Sequence, residues 1–224
     1  MNKTRIYQQF IDLLLEHSKQ SDESRFFAQQ LIAMHDEARK RSNPTIVELG
    51  VDRGQSTKVF LNAIDDKNYA CLISLDIINC ANAVKSDKWE FIQQDSSDIS
   101  LLIKNKPKIK KGIDILYVDS KHTVDHVMKE VYGFYKYIKK GGVIFFDDID
   151  SSPYMKSQRK DSVSIEIENR KIFNLLESIF RGNYDNLDFY ISRGSTGLAK
   201  FIKRNELGEV LKPRIKVKER RLKF

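Results

Sequence analysis

The sequence is short of cysteine, of long apolar runs and of any lysine-bearing phosphate loop. Two cysteines, Cys71 and Cys80, are too few for a disulfide framework, and they form no C-x-x-C metal clip. Reduced, partly buried thiols are the expectation. No stretch approaches the ~20 apolar residues of a membrane span. Met1-Asn2-Lys3-Thr4-Arg5 lacks the apolar segment of a secretory signal, so the expected location is cytoplasmic. A phosphate-binding P-loop needs Gly, four residues, then Gly-Lys-Ser/Thr. Here Gly50 and Gly54 lie too close together, and Gln55 takes the lysine's place. The dinucleotide fingerprint G-x-G-x-x-G is missing as well, with Asp52 where its second glycine belongs.

What is present is a chain of 224 residues, long enough for one domain with an ample core. It is organised around residues 45–57. Ile46-Val47-Glu48-Leu49 reads as a buried strand, Gly50 and Gly54 as a loop, and Ser56-Thr57 as the start of an apolar-periodic helix. Glycine lets the backbone turn sharply and lets a ligand approach it closely. The helix start turns unsatisfied N–H groups toward the loop. The acid closing the strand suits a cationic ligand with an amino group better than a pyrophosphate. An ordinary strand–helix turn is the plain alternative. The E-x-G-x-x-x-G pattern resembles the first motif of the class I S-adenosylmethionine-dependent methyltransferases.

The rest of the chain repeats the strand–helix alternation. Residues 4–18 and 23–41 carry apolar residues at helical spacing and are expected to cover a sheet face, line a pocket mouth or form a subunit contact. His17 and His35 on them read as surface or boundary residues. Cys71-Leu72-Ile73-Ser74-Leu75-Asp76 is a second strand whose closing acid falls about twenty residues after the glycine loop, the distance at which a carboxylate takes ribose hydroxyls. A third strand near Phe91 leads to the acidic turn Asp95-Ser96, and a fourth, Ile113–Val118, ends in Asp119. A helix from Val124 to Ile138 and a Gly141-Gly142 turn precede the fifth strand, Val143–Phe146, closed by Asp147-Asp148. Residues 151–162 read as a loop able to close over a pocket. After a helix from Val163 to Arg181, residues 187–191 and 198–202 form an antiparallel pair around Gly194-Ser195-Thr196-Gly197. The predicted fold is a Rossmann-like α/β domain: a mainly parallel sheet, helices on both faces and a C-terminal antiparallel strand pair. The expected organisation is N-terminal helices over 1–42, the domain over 43–204, and a basic tail over 205–224.

Three carboxylates at adjacent strand ends, Asp119, Asp147 and Asp148, repel one another unless protons, cationic side chains or a metal compensate. Such hard oxygen ligands suit Mg²⁺ or another divalent ion, which would lower a substrate hydroxyl's pKa. His122 is placed to take the hydroxyl proton, with Lys121 as the competing base. His126 reads as a supporting or surface residue. The glycine-loop stretch, Phe91–Ser96, Val118–His122 and Gly141–Asp148 together resemble the cephalosporin hydroxylase-like group that includes rhamnosyl and macrolide-sugar O-methyltransferases. The resemblance implies S-adenosylmethionine as cofactor, with Glu48, Gly50, Gly54 and Ser56 around its methionine end. It also implies Asp76 on the ribose, Asp95 and Ser96 on the adenine, and Asp119 near the amino group. It implies a divalent ion at Asp119, Asp147 and Asp148, and His122 as base. Ser120-Lys121 departs from the group's usual residues, and the Lys121 ammonium is an alternative to the ion.

The expected activity is therefore O-methylation of a sugar or other small hydroxylated acceptor. The net charge of +8 is concentrated at Lys104–Lys111 and in the tail from Lys212 to Lys223. That tail raises RNA or protein methylation as the alternative. A cofactor-binding protein without catalysis is another, and the sequence leaves the oligomeric state open.

Overall fold

The computed structural model describes residues 12–16, 19–152 and 163–215. Of the first expected helix only 12–16 fall within this range, and they are helical. His17, residues 153–162 of the expected closing loop and the tail beyond 215 lie outside it.

Alternation of apolar side chains in the strands sets the layers. In β1 (Thr45–Leu49), Val47 and Leu49 join one core cluster, and Ile46 joins the cluster on the other face. β2 (Cys71–Asp76) and β4 (Ile113–Val118) are likewise buried on both faces, as parallel strands between helices must be. α1 (Asp22–Arg39) and α2 (Gln55–Ile64) cover one face through Met34, Ala38, Phe60 and Ile64. α3 (Ile99–Asn105), α4 (Val124–Tyr135) and α5 (Val163–Gly182) cover the other through Leu102, Val131, Phe134 and Leu176. With β3 (Trp89–Gln93), β5 (Ile138–Phe146), β6 (Leu187–Ser192) and β7 (Leu198–Lys203), the sheet runs β3-β2-β1-β4-β5-β7-β6. The first five strands pair in parallel, and β7 is antiparallel to both β5 and β6. β1 lies between β2 and β4, so the winding reverses there and opens a crevice beyond the strand ends.

Three details differ from the sequence expectation. α4 stops at Tyr135, and Gly141-Gly142 lie inside β5 rather than before it. Ile138 pairs with Ile113 but Val143 pairs with Ile115, so the glycines absorb a bulge, with Gly141 at φ +73°. His35 is fully buried, not at the surface: its Nε2 lies 3.0 Å from Asn62 Oδ1 and ties α1 to α2. Burial pulls its pKa down against its hydrogen bonds to Asp36 and Asn62, whose oxygens accept. Residues 205–215, the described part of the expected basic tail, form a strap on α5. Leu211 enters the core, Asn183 exchanges hydrogen bonds of 2.7 and 3.1 Å with the Lys212 backbone, and the Ile215 N–H donates to Ser178 O. Among the described residues no helix is long and apolar enough to cross a membrane.

Candidate active site

The glycine loop is built by close approach. Gly50 adopts φ +96°, its N–H donates to Leu75 O, and a Cβ on it would stand 2.0 Å from Asp119 O. Only glycine lets the ends of β1 and β4 come this near. Gly54, at φ +72°, caps α2. Asp76 then clamps the loop, accepting the N–H groups of Val51 (2.9 Å), Asp52 (3.3 Å) and Ile78 (2.9 Å). Burial raises its carboxyl, but those three donors outweigh burial and hold it below the usual range.

Glu48 and Ser56 stand behind the loop rather than in the cavity. Glu48 is fully buried and accepts hydroxyls from Ser56 (2.6 Å), Thr57 (2.8 Å) and Ser74 (2.5 Å). Burial pushes its carboxyl up to about 7 against those three hydrogen bonds. The side chain thus fastens the start of α2 to β1 and β2.

In front of the loop lies a cavity of about 770 Å³ whose wall includes Gly50, Asp76, Asp95, Ser96, Asp119 and His122. Lys121 is exposed and also lines it. A wider groove of about 870 Å³, between α4, α5 and the strap, touches none of the strand-end acids.

At the cavity's inner edge the acids are organised around His122. Its Nε2 lies 3.0 Å from Asp119 Oδ1 and its Nδ1 lies 2.8 Å from Asp148 Oδ2. Desolvation lowers the imidazole's pKa, but the two carboxylates outweigh it and raise it to about 10. The compensating cation is therefore His122, where the sequence had suggested Lys121. Burial and then Asp147 push Asp119 up against the pull of His122. Asp147 faces elsewhere: Tyr117 Oη is 2.6 Å from its Oδ2, while Thr196 Oγ1 and the Asp148 N–H donate to its Oδ1. Tyr117 Oη is also 3.0 Å from Asp119 Oδ2, so one phenolic proton serves two carboxylates. Among the described residues, the group whose ligand atoms converge within 4.8 Å is Asp119, His122 and Asp148. Two carboxylates and an imidazole fit a divalent ion, whereas Asp147 is already satisfied.

A second network lies behind the Asp95-Ser96 turn. Glu130, fully buried on α4, accepts from Ser96 Oγ (2.5 Å) and Ser120 Oγ (2.6 Å), and His126 Nε2 is 3.2 Å from the same oxygen. Its other oxygen has no partner among the described residues. His126 lines the cavity, and its hydrogen bond with Glu130 raises its pKa despite partial burial. Tyr117, Thr196, His126 and Glu130 were not singled out by sequence reasoning as site residues. His126 and Glu130, one helical turn apart on α4, were the legible pair.

Residues 47–149 match a family model described as a methyltransferase domain. The uncharacterized protein R132 of Acanthamoeba polyphaga mimivirus is 28% identical over 118 residues, covering 49% of this chain and 53% of that protein. Among solved structures, the MycE methyltransferase of the mycinamycin biosynthetic pathway, in complex with Mg and SAH, superposes with a TM-score of 0.60 at 16% identity. That match covers 80% of this chain and 49% of MycE. An O-methyltransferase from Bacillus cereus in complex with SAH gives 0.55 at 16% identity, over 78% and 81% of the two chains. The chain thus spans about half the length of the mimivirus protein and of MycE.

Proposed function

We propose that residues 47–149, which match a methyltransferase-domain model, form a class I S-adenosylmethionine-dependent methyltransferase domain, and that the chain methylates a hydroxyl oxygen of a sugar or other small polyol. The observation that carries the proposal is the glycine-loop cavity whose wall includes Asp119 and His122 of the Asp119–His122–Asp148 centre. One structure of MycE holds Mg, SAH and mycinamycin VI, which supports a small-molecule acceptor and a divalent ion in this fold.

S-adenosylmethionine supplies a methyl on a sulfonium, which an acceptor oxygen displaces in line as the C–S pair returns to sulfur. The chain's part is mainly positioning. Gly50 and Gly54 shape the loop along the methionine end, and Glu48 with Ser56 fixes that loop from behind. Asp76 accepts ribose hydroxyls with the lone pairs its backbone donors leave. Asp95 and Ser96 meet the adenine, with Ser96 held by Glu130. Asp119 faces the amino group.

Asp119 and Asp148, with His122, would hold a divalent ion, whose contribution is to orient the acceptor hydroxyl and lower its pKa. Such an ion would compete with the imidazolium for the same carboxylate oxygens. With an ion in place His122 is a ligand, and the hydroxyl proton falls to Lys121 at the cavity lip; without the ion His122 is the proposed proton acceptor, once it has lost its present proton. Incubation with methyl-labelled S-adenosylmethionine and a panel of hydroxylated acceptors, with Mg²⁺ or with chelator, tests the proposal. Label in an alkali-stable ether, reduced by chelator, is expected. Label appearing only on nitrogen, or on no acceptor although the donor binds, would contradict it.

A further inference from the structure

A separate cavity of about 560 Å³ adjoins the centre on the side of α1 and the β6–β7 turn. Its wall carries five carboxylates, Glu23, Asp52, Asp119, Asp147 and Asp148, and among the described residues that line it there is no lysine or arginine. Acidic crowding alone identifies nothing. The telling side chain is Ser195, which lines the same cavity, is 4% exposed, and has no hydrogen-bond partner for its hydroxyl among the described residues. A buried hydroxyl left unsatisfied is destabilising, so it marks a place where a partner is expected to arrive.

The backbone around Ser195 holds that hydroxyl in place. Gly194 is pinned from two sides, its N–H donating to Asp150 Oδ2 (3.0 Å) and its carbonyl accepting from Gln30 Nε2 of α1 (2.9 Å). A Cβ on Gly194 would stand 2.5 Å from the Phe26 ring, so the turn lies directly on α1. Ser195 has φ +50°, a left-handed conformation that costs a non-glycine residue energy. The other described non-glycine residues with positive φ are Asp52 (+46°) and Asp148 (+54°), and both line this same cavity.

We infer that this cavity is the acceptor site, and that it selects a hydroxylated molecule bearing a protonated amine, with Ser195 as the residue that hydrogen-bonds it. The inference rests on the methyl-transfer reading and deepens it. The anionic wall attracts a cation and rejects a carboxylate, and the Ser195 hydroxyl fixes orientation. A divalent ion at the centre would draw on Asp119 and Asp148 and leave Asp52 to set the sign of the wall on the glycine-loop side. Phe27 contributes an apolar patch for a ring face.

The test is calorimetry on the full chain in Mg²⁺ buffer, in two steps. S-adenosylhomocysteine is titrated first. Matched methyl hexosides bearing an amine, a neutral hydroxyl or a carboxylate are then titrated into the loaded protein. The amino-hexoside is expected to bind about tenfold more tightly than the neutral one, and the carboxylate not at all. Ser195→Ala should weaken the amino-hexoside about tenfold with unchanged cofactor affinity, and Asp52→Asn should narrow the amine-over-neutral ratio. Equal or better binding of the neutral or acidic probe, binding of none, or indifference to Ser195→Ala overturns the inference while leaving methyl transfer standing. No heat in the first step overturns both.

Discussion

At the scale of single residues, Glu48 makes a pH-dependent contribution with a definite sign. Its ordinary value of 4.5 is raised to about 7 in the fold, so folding favours the protonated form. That stability is fully present below about pH 4.5 and is lost as the pH rises through about 7. The loss is on the order of 3 kcal/mol. Glu48→Gln stays neutral beside the same three hydroxyls, and its urea-unfolding stability should lack that loss between pH 5 and 8. An unchanged slope would contradict the account. Glu130→Gln is expected to weaken S-adenosylhomocysteine about tenfold, because Ser96 and Ser120 both anchor on that carboxylate. Calorimetry on the folded variant checks this. The strand-end acids were legible in the sequence, since each directly follows its apolar run. Their partners were not. Tyr117 reaches Asp147 and Ser96 reaches Glu130 across 30 and 34 residues, and no local pattern encodes such pairings.

The elements show why some boundaries could be read and others could not. Gly50→Ala should lower the melting temperature sharply and abolish cofactor binding, because the added methyl meets backbone, not a flexible side chain. A variant that melts normally would mean β1 and β4 are not so close. The strand–glycine–helix unit carried its own turn signal, so it was recognisable. The glycines of β5 carried the same signal with a different meaning. A bulge inside a paired strand and a turn before it call for the same residue, and only the neighbouring strand's register decides. The strap was hidden by its charge: Lys212 and Arg214 outweighed the single Leu211 that anchors it. Leu211→Ala is expected to cost ~2–4 kcal/mol in urea unfolding, against near-neutrality if residues 205–215 were loose.

For the whole molecule, the β3-β2-β1-β4-β5-β7-β6 order gathers Asp76, Asp119, Asp147 and Asp148 beyond the sheet's carboxyl edge. The parallel sheet and closing antiparallel pair followed from element order and crossover handedness. The division of the rim into two cavities did not follow, since α1 and the β6–β7 turn meet only in three dimensions. All roles assigned to the rim depend on its holding a sulfonium donor or its spent form. The most direct measurement is isothermal calorimetry of S-adenosylhomocysteine into the pure folded chain and into Asp76→Ala. One-to-one binding by the parent chain, lost or weakened by at least about tenfold in the variant, is the predicted result. No heat from a demonstrably folded parent chain, or equal affinity in both proteins, would contradict it.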